Sequence, residues 1–478
     1  MKNWIPVLAV LIASSSFAQT GYEIKVTLKP FKNQYIYLGH YQGKQYPIID
    51  SVKLDANSTA VFKGKKALPG GIYLVGYPNK QAFFEMLVDK QQHFTAIADT
   101  ATVRKGIAFT GSPDNVLFNS YQQHMGKEGE KINQLRANLA SAKTKEDSAA
   151  VTKQLEKIDK EIRDYREDLI AKNAKSMLTA LLLAMKEPEL TGNLKDPRNK
   201  EDSIAAYRFM KDHYWDGVNF WDGRLAYTTF FDDKVEKYFS QLVYPDSDSI
   251  IKEMDRMLAY ATPSYEMTRL LLLKFVNKYI NQQYMFEDAV FVHLYEKYFA
   301  NKNYDWLTDA GRQTITNRAY NLMENLVGKE AADIQLPDSN KVTQRLYADT
   351  AAPLTLVCFW DPTCGHCKET LPKMDSLYKA KWAKNNIRVF AVAKETDGTY
   401  QDWTSFISKH NITGWTHVYY SKEADKARIN NNIPGYAQLY DVQTYPTLYL
   451  LDKQKRIIAK KLEYTQLDEI MDLKLKGQ

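Results

Sequence analysis

Cysteine is almost absent from this chain. Only three occur in 478 residues, at Cys358, Cys364 and Cys367. No staple can therefore cross-link any residue before Cys358, and the fold must rest on packed cores rather than on disulfides. Long apolar runs are missing as well. Leu178 to Met185 and Leu270 to Leu273 fall far short of the roughly 20 residues that a bilayer core asks for. A concentrated basic and aromatic tract is also lacking: the formal charge of +7 is spread among interleaved acids along the whole length, which excludes nucleic acid as an expected partner. The two Trp-Asp-Gly units at 215–217 and 221–223 do not supply a calcium loop. Counting back from either glycine leaves Tyr214 or Val218 where an acid or amide is required.

What is present begins with MKNWIPVLAVLIASSSFAQT. Lys2, the apolar stretch Trp4 to Ala13 and the small residues Ser16 and Ala18 read as a secretory signal peptide over residues 1–18. No cysteine follows it to carry a lipid, so the expectation is a soluble periplasmic protein. Tyrosine and phenylalanine are abundant, at 32 and 20 residues, and read mainly as core and surface packing.

Residues 19–112 favour short strands (TAVFKG, GIYLVGY, AFFEMLV, HFTAIA) punctuated by Pro69-Gly70-Gly71 and Pro78-Asn79, the pattern of an antiparallel β-sandwich. The period then changes. Ile132, Leu135 and Leu139, and then Leu155, Ile158, Ile162, Tyr165 and Leu169, recur at helical spacing, with a break near 142–147. Residues 113–335 read as a helical domain in which Trp215 and Trp221 anchor a turn. Residues 336–350 read as a polar linker. From 351 to 478 strands and helices alternate (PLTLVCFW, a helix from Cys367, IRVFAVAK, TYQDWTSFISKH, THVYY, TLYLLD, RIIAKKL and a closing helix), the pattern of an α/β sheet covered by helices.

The chemistry lies in CFWDPTCGHCKETLPKM, residues 358–374. A structural zinc site needs about four ligands and this chain has one close cysteine pair, so no metal is expected even with Cys358 and His366 available. A permanent disulfide over a two-residue gap would stabilise little. A redox pair accounts for the placement: a strand ends at Trp360, Asp361-Pro362-Thr363 turns, and a helix opens at the cysteines. Unpaired N–H groups and the helix dipole at that end favour a thiolate at Cys364, and Cys367 lies one turn on, where it can attack a mixed disulfide. Gly365 leaves room for a partner backbone, and His366 can support the thiolate.

FWDPTCGHCKETLP, Phe359 to Pro372, together with QTYPTLYLL, Gln443 to Leu451, resembles the thioredoxin-fold thiol-disulfide oxidoreductases of the TlpA/ResA-like group. That resemblance implies Cys364 and Cys367 as the catalytic pair, Gly365, His366, Trp360 and Pro446 as supporting residues, and a cis bond before Pro446. It also implies that Tyr445, flanked by Thr444, contacts the substrate backbone. Two positions depart from the group. A buried acid in the preceding strand is replaced by Cys358, which reads as a small core hydrophobe. A glutamate three residues after the second cysteine is replaced by Thr370, with Glu369 one position earlier and turned by about 100°. The order of β, helical and thioredoxin-like regions also resembles exported multidomain proteins of Bacteroidota.

The implied activity is thiol–disulfide exchange with protein thiols or disulfides of the cell envelope, as a reductase or isomerase. It needs no cofactor and is fed by an unidentified electron donor or acceptor; apocytochrome c is a candidate client. The alternative is an envelope scaffold that grips a polypeptide or glycan and uses the last domain only for docking. The stretch KEADKARINNNIPGYAQLYD, within the 79 residues from Cys367 to Pro446, reads as extra loop available for substrate selection.

Overall fold

The computed structural model describes residues 21–101, 106–348, 351–397 and 399–477. The leader read over residues 1–18 lies outside the described residues. The described residues form two compact units, one of those up to 243 with 256–271 and the other of 244–255 with those from 272 onward.

The first unit opens with eight strands: β1 (Tyr22–Lys29), β2 (Tyr35–His40), β3 (Ile48–Lys53), β4 (Thr59–Gly64), β5 (Gly71–Gly76), β6 (Phe83–Val88), β7 (His93–Asp99) and β8 (Ala108–Thr110). They make two four-stranded sheets, ordered β4-β1-β7-β8 and β3-β2-β5-β6. Side chains alternate across a strand, so every second residue enters the core between the sheets. Ile24, Val26 and Leu28 of β1 meet Ile36, Leu38, Tyr73, Val75, Phe84 and Met86 from the opposite sheet. Most pairs are antiparallel, as expected, but β1 and β7 run parallel.

Two long helices follow, Pro113–Ser141 and Lys145–Lys172. Each starts where a hydroxyl can accept a free N–H: Ser112 from Asn115 and Thr144 from Asp147. Between the helices at 200–213 and 229–241, Trp215 packs against Tyr214, Phe220 and Tyr238. Trp221 is 68% exposed, so the packing that its pattern suggested is seen at Trp215 instead.

The second unit carries a five-stranded sheet of β11 (Thr355–Trp360), β12 (Arg388–Lys394), β13 (Thr416–Tyr420), β14 (Thr447–Leu451) and β15 (Ile457–Lys460), in the order β13-β12-β11-β14-β15. The first three strands are parallel and the last two antiparallel. Strand β11 is buried on both sides, and its period of two divides it cleanly. Leu356, Cys358 and Trp360 point to the face covered by helices Gly365–Leu377, Tyr400–His410 and Tyr464–Leu475, while Val357 and Phe359 point to the other.

Two expectations need correction. Residues 336–350 are not a linker over their described part: β9 (Gln335–Pro337) and β10 (Thr343–Arg345) pair, and Ile334, Leu336 and Leu346 enter the second core of the sheet. Burial of those three side chains, each worth about 1.5–3 kcal/mol, outweighs the polar character of their neighbours. The stretch at 422–441 is loop only in part: it carries two short helices, Lys422–Asn430 and Tyr436–Leu439, with Tyr436 and Tyr440 in the same core.

Candidate functional site

The site is built at the carboxyl end of β11. Beyond Trp360 the Asp361 carboxylate accepts the Thr363 N–H at 2.7 Å and the Thr363 hydroxyl at 2.5 Å, and its other oxygen accepts the Thr396 hydroxyl from the loop after β12. Burial pushes this carboxyl up. Those hydrogen bonds outweigh it and hold Asp361 below the ordinary carboxylate range. The turn so fixed delivers Cys364 as the residue that caps the helix Gly365–Leu377: its N–H meets the Asp361 carbonyl at 3.2 Å and its carbonyl accepts the Lys368 N–H at 3.1 Å.

The Cys364 side chain takes no part in capping. It is half-buried, and its Sγ sits 3.6 Å from the Tyr445 carbonyl oxygen. Tyr445-Pro446 is a cis peptide, and β14 starts one residue later. Residues 81 positions apart in sequence therefore meet at one sulfur.

Cys367 lies on the buried face of the helix and is fully enclosed. Burial pushes its thiol well above the ordinary range. The Asp361 backbone opposes that shift, and a hydrogen bond to the Cys364 side chain together with the neighbouring Cys358 reinforces it. Cys358 is fully buried in the same core cluster as Trp360 and Cys367, and burial raises its thiol strongly too. The Trp360 ring packs on Phe406 at 5.2 Å. Gly365 faces open space: a side chain there would meet nothing within 4 Å. Glu369 is exposed and Thr370 buried, so the acid found one position early does not take the place of the missing one. His366 and Thr444 are exposed beside the pair, and the Thr444 carbonyl accepts the Thr447 hydroxyl at 2.6 Å.

A cavity of about 830 Å³ opens beside the cis proline. One wall is His366, Thr370, Thr444, Tyr445 and Pro446; the facing wall is the segment Asn281 to Phe286, which precedes the helix Glu287–Leu294. Sequence reading missed this second wall. Nothing in NQQYMF marks it, and the segment lies about 160 positions before Pro446. Buried charge holds the two walls together. The Lys460 ammonium contacts the Asp288 carboxylate and donates to the carbonyl and side-chain oxygen of Asn325 at 2.6 Å each. Arg318 donates to Asp441 at 2.7 Å and to the Ile280 carbonyl at 3.0 Å, and also binds the Gln282 side chain; Lys461 binds the other Asp441 oxygen. Burial raises the Asp441 carboxyl, but Lys461 and Arg318 prevail and hold it below the ordinary range.

Comparison with known proteins bears on each region. Residues 353–457 match the thioredoxin-like family model, and residues 22–118 and 140–323 match two domain models of unknown function. No curated protein matches the chain. Among solved structures, a thioredoxin-like protein from Bacteroides caccae is 18% identical, over 60% of this chain and 98% of its own, with a TM-score of 0.44. A conserved protein of unknown function from Bacteroides fragilis is 27% identical over 30% of this chain and 98% of its own, with a TM-score of 0.24. A thiol:disulfide interchange protein from Bacteroides sp. is 23% identical over 31% of this chain and 90% of its own, with a TM-score of 0.27. The protein thus comprises an N-terminal β-sandwich, a central helical region and a C-terminal thioredoxin-like domain.

Proposed function

We propose that this protein carries out thiol–disulfide exchange with polypeptides of the bacterial cell envelope, with Cys364 as nucleophile and Cys367 as resolving thiol. The observation that carries the reading is the meeting of a half-buried, helix-capping Cys364 with the Tyr445 carbonyl beside cis Pro446. A sulfur so placed can be reached by a second chain while its partner thiol is kept dry.

In the reducing direction the Cys364 thiolate attacks one sulfur of a substrate disulfide. A mixed disulfide forms and the first substrate sulfur leaves as thiolate. Cys367 then gives up its proton and attacks Cys364 Sγ, so the mixed disulfide breaks and the second substrate sulfur leaves. Two electrons and two protons pass from the pair to the substrate, giving two substrate thiols and an oxidised pair. An upstream dithiol donor restores the reduced form; run in reverse, the same steps oxidise substrate thiols. Tyr445 and Thr444 would meet the substrate main chain, Gly365 would leave it room, and Trp360 would wall the resolving thiol. Export to the periplasm and apocytochrome c as a client belong to this proposal.

The test is trapping. Cys367→Ala should accumulate mixed disulfides at Cys364 with envelope proteins, visible as bands lost on reduction, whereas Cys364→Ala should trap none. The wild type should reduce insulin. An inactive wild type together with an empty trap would overturn the reading and leave the docking scaffold as the better account.

A further inference from the structure

We infer that the segment Asn281–Phe286 is the specificity wall of this site, and that it takes a neutral polypeptide strand bearing an aromatic or large aliphatic side chain beside its cysteine. The inference rests on the exchange reading above and names its substrate class. A cavity of about 830 Å³ adjoining Cys364 through Tyr445 and Pro446 is of ligand-pocket size, far more than a single sulfur needs.

Its chemistry follows from what is already spent. Lys460 is matched by Asp288 and Asn325, and Arg318 and Lys461 are both matched by Asp441. Glu463, the third carboxylate of the lining, is spent capping the helix Tyr464–Leu475, so three cations face three carboxylates and a charged side chain entering here would lose water without gaining a partner. The apolar groups remain on offer. Tyr284 and Phe286 stack with centroids 5.6 Å apart and planes 2° from parallel, and Tyr284 is 60% exposed. Met285 packs against the core that holds Cys367, and Leu448 and Leu462 complete the apolar lining. An aromatic pair with one face open contributes stacking and apolar contact to a side chain laid on it.

The wall is also held in shape. The Glu287 carboxylate accepts the N–H groups of Gln283 and Tyr284 at 2.7 and 3.1 Å, and Arg318 grips the Ile280 carbonyl and the Gln282 side chain. A surface ordered in advance selects among partners, since little conformational freedom is lost when one binds.

The test reads binding, so it does not depend on turnover. Two decapeptides with serine in place of cysteine are titrated against the full chain, one with tyrosine and leucine flanking the serine and one with aspartate and lysine. The wild type should bind the apolar peptide at least about tenfold more tightly. The double variant Tyr284→Ser/Phe286→Ser should bring the ratio close to one. Tyr244→Ser, which removes an exposed tyrosine outside the cavity, should leave it at the wild-type value. Equal affinity for the two peptides, no binding of either, or an unchanged ratio in the double variant would each overturn the inference. The exchange reading fails separately, if the wild type does not reduce insulin and Cys367→Ala traps no partner.

Discussion

Burial makes the two cysteines of the pair unlike each other. Cys364 is half-buried, whereas Cys367 is sealed and its thiol is pushed above the ordinary range. The second step of the proposed exchange consumes the Cys367 thiolate, whose fraction grows about tenfold per pH unit as long as the pH stays below the thiol's pKa. A thiol raised above the ordinary value of about 8.5 is therefore still gaining thiolate where an unperturbed one has levelled off. The rate at which Cys367 releases a thiol from a mixed disulfide preformed at Cys364 should accordingly keep climbing by about tenfold from pH 9 to pH 10, where a thiol at the ordinary value gains less than about 1.5-fold. Stopped-flow release of a chromogenic thiolate measures this, and a rate that levels off between pH 9 and pH 10 would show that another group lowers the Cys367 thiol. Cys358 offers no relief: it stands in β11 on the same face as Cys367, but its own thiol is raised by burial and accepts no proton. Asp361, which sequence reading treated only as a turn former, is the buried acid nearest in sequence to the pair. Its carboxylate is spent on Thr363 and Thr396 and holds the turn that presents Cys364.

At the scale of elements, β15 and the helix Glu287–Leu294 are locked by Lys460, whose side chain is fully buried against Asp288. Removing one member of such a pair strands the other charge away from water, at a cost of about 3–5 kcal/mol. Asp288→Ala should lower the urea midpoint by that equivalent, while Asp288→Leu with Lys460→Met, which removes both charges and refills the space, should recover most of it. A small effect of the single change would mean that Asn325 alone carries the ammonium. The same pair shows what a sequence does and does not disclose. PLTLVCFW and IRVFAVAK are legible because a doubly covered strand is apolar at nearly every position, and CGHC is legible because its helix follows at once. Lys460 is not legible, since a lysine in a last strand reads as protection of an exposed edge, and only a helix from elsewhere in the chain buries it. Leu336 and Leu346 were masked in the same way by the polar residues around them, so a core hairpin looked like a linker. The motif could reveal the candidate cysteine pair and Pro446, but not the lining at 281–286, because that segment is held by Arg318 and Glu287 rather than by any local pattern.

For the whole molecule, the sequence pattern and the packing divide the chain at different places. Composition changes near residue 351, yet the compact unit holding the site also takes in residues 244–255 and everything from 272 onward. A fragment of residues 351–478 would carry the complete five-stranded sheet and both cysteines of the pair. It would also leave Lys460 without Asp288 and Asn325, Asp441 without Arg318, and one face of the sheet without Ile334, Leu336 and Leu346. Three apolar side chains at about 1.5–3 kcal/mol each are comparable to the whole stability of a small domain, which is about 5–15 kcal/mol. A fragment of residues 244–478 keeps all of these contacts, including Asp255 with His293, Lys297 and Tyr298. The longer fragment should therefore give a single cooperative thermal transition by near-ultraviolet circular dichroism. The shorter one should melt at least about 10 °C lower or show no transition, since each 1 kcal/mol shifts a domain of this size by several degrees. Equal melting temperatures would mean that the thioredoxin-like domain stands alone and that the helices from 272 to 325 add a wall to the site without adding stability to the sheet.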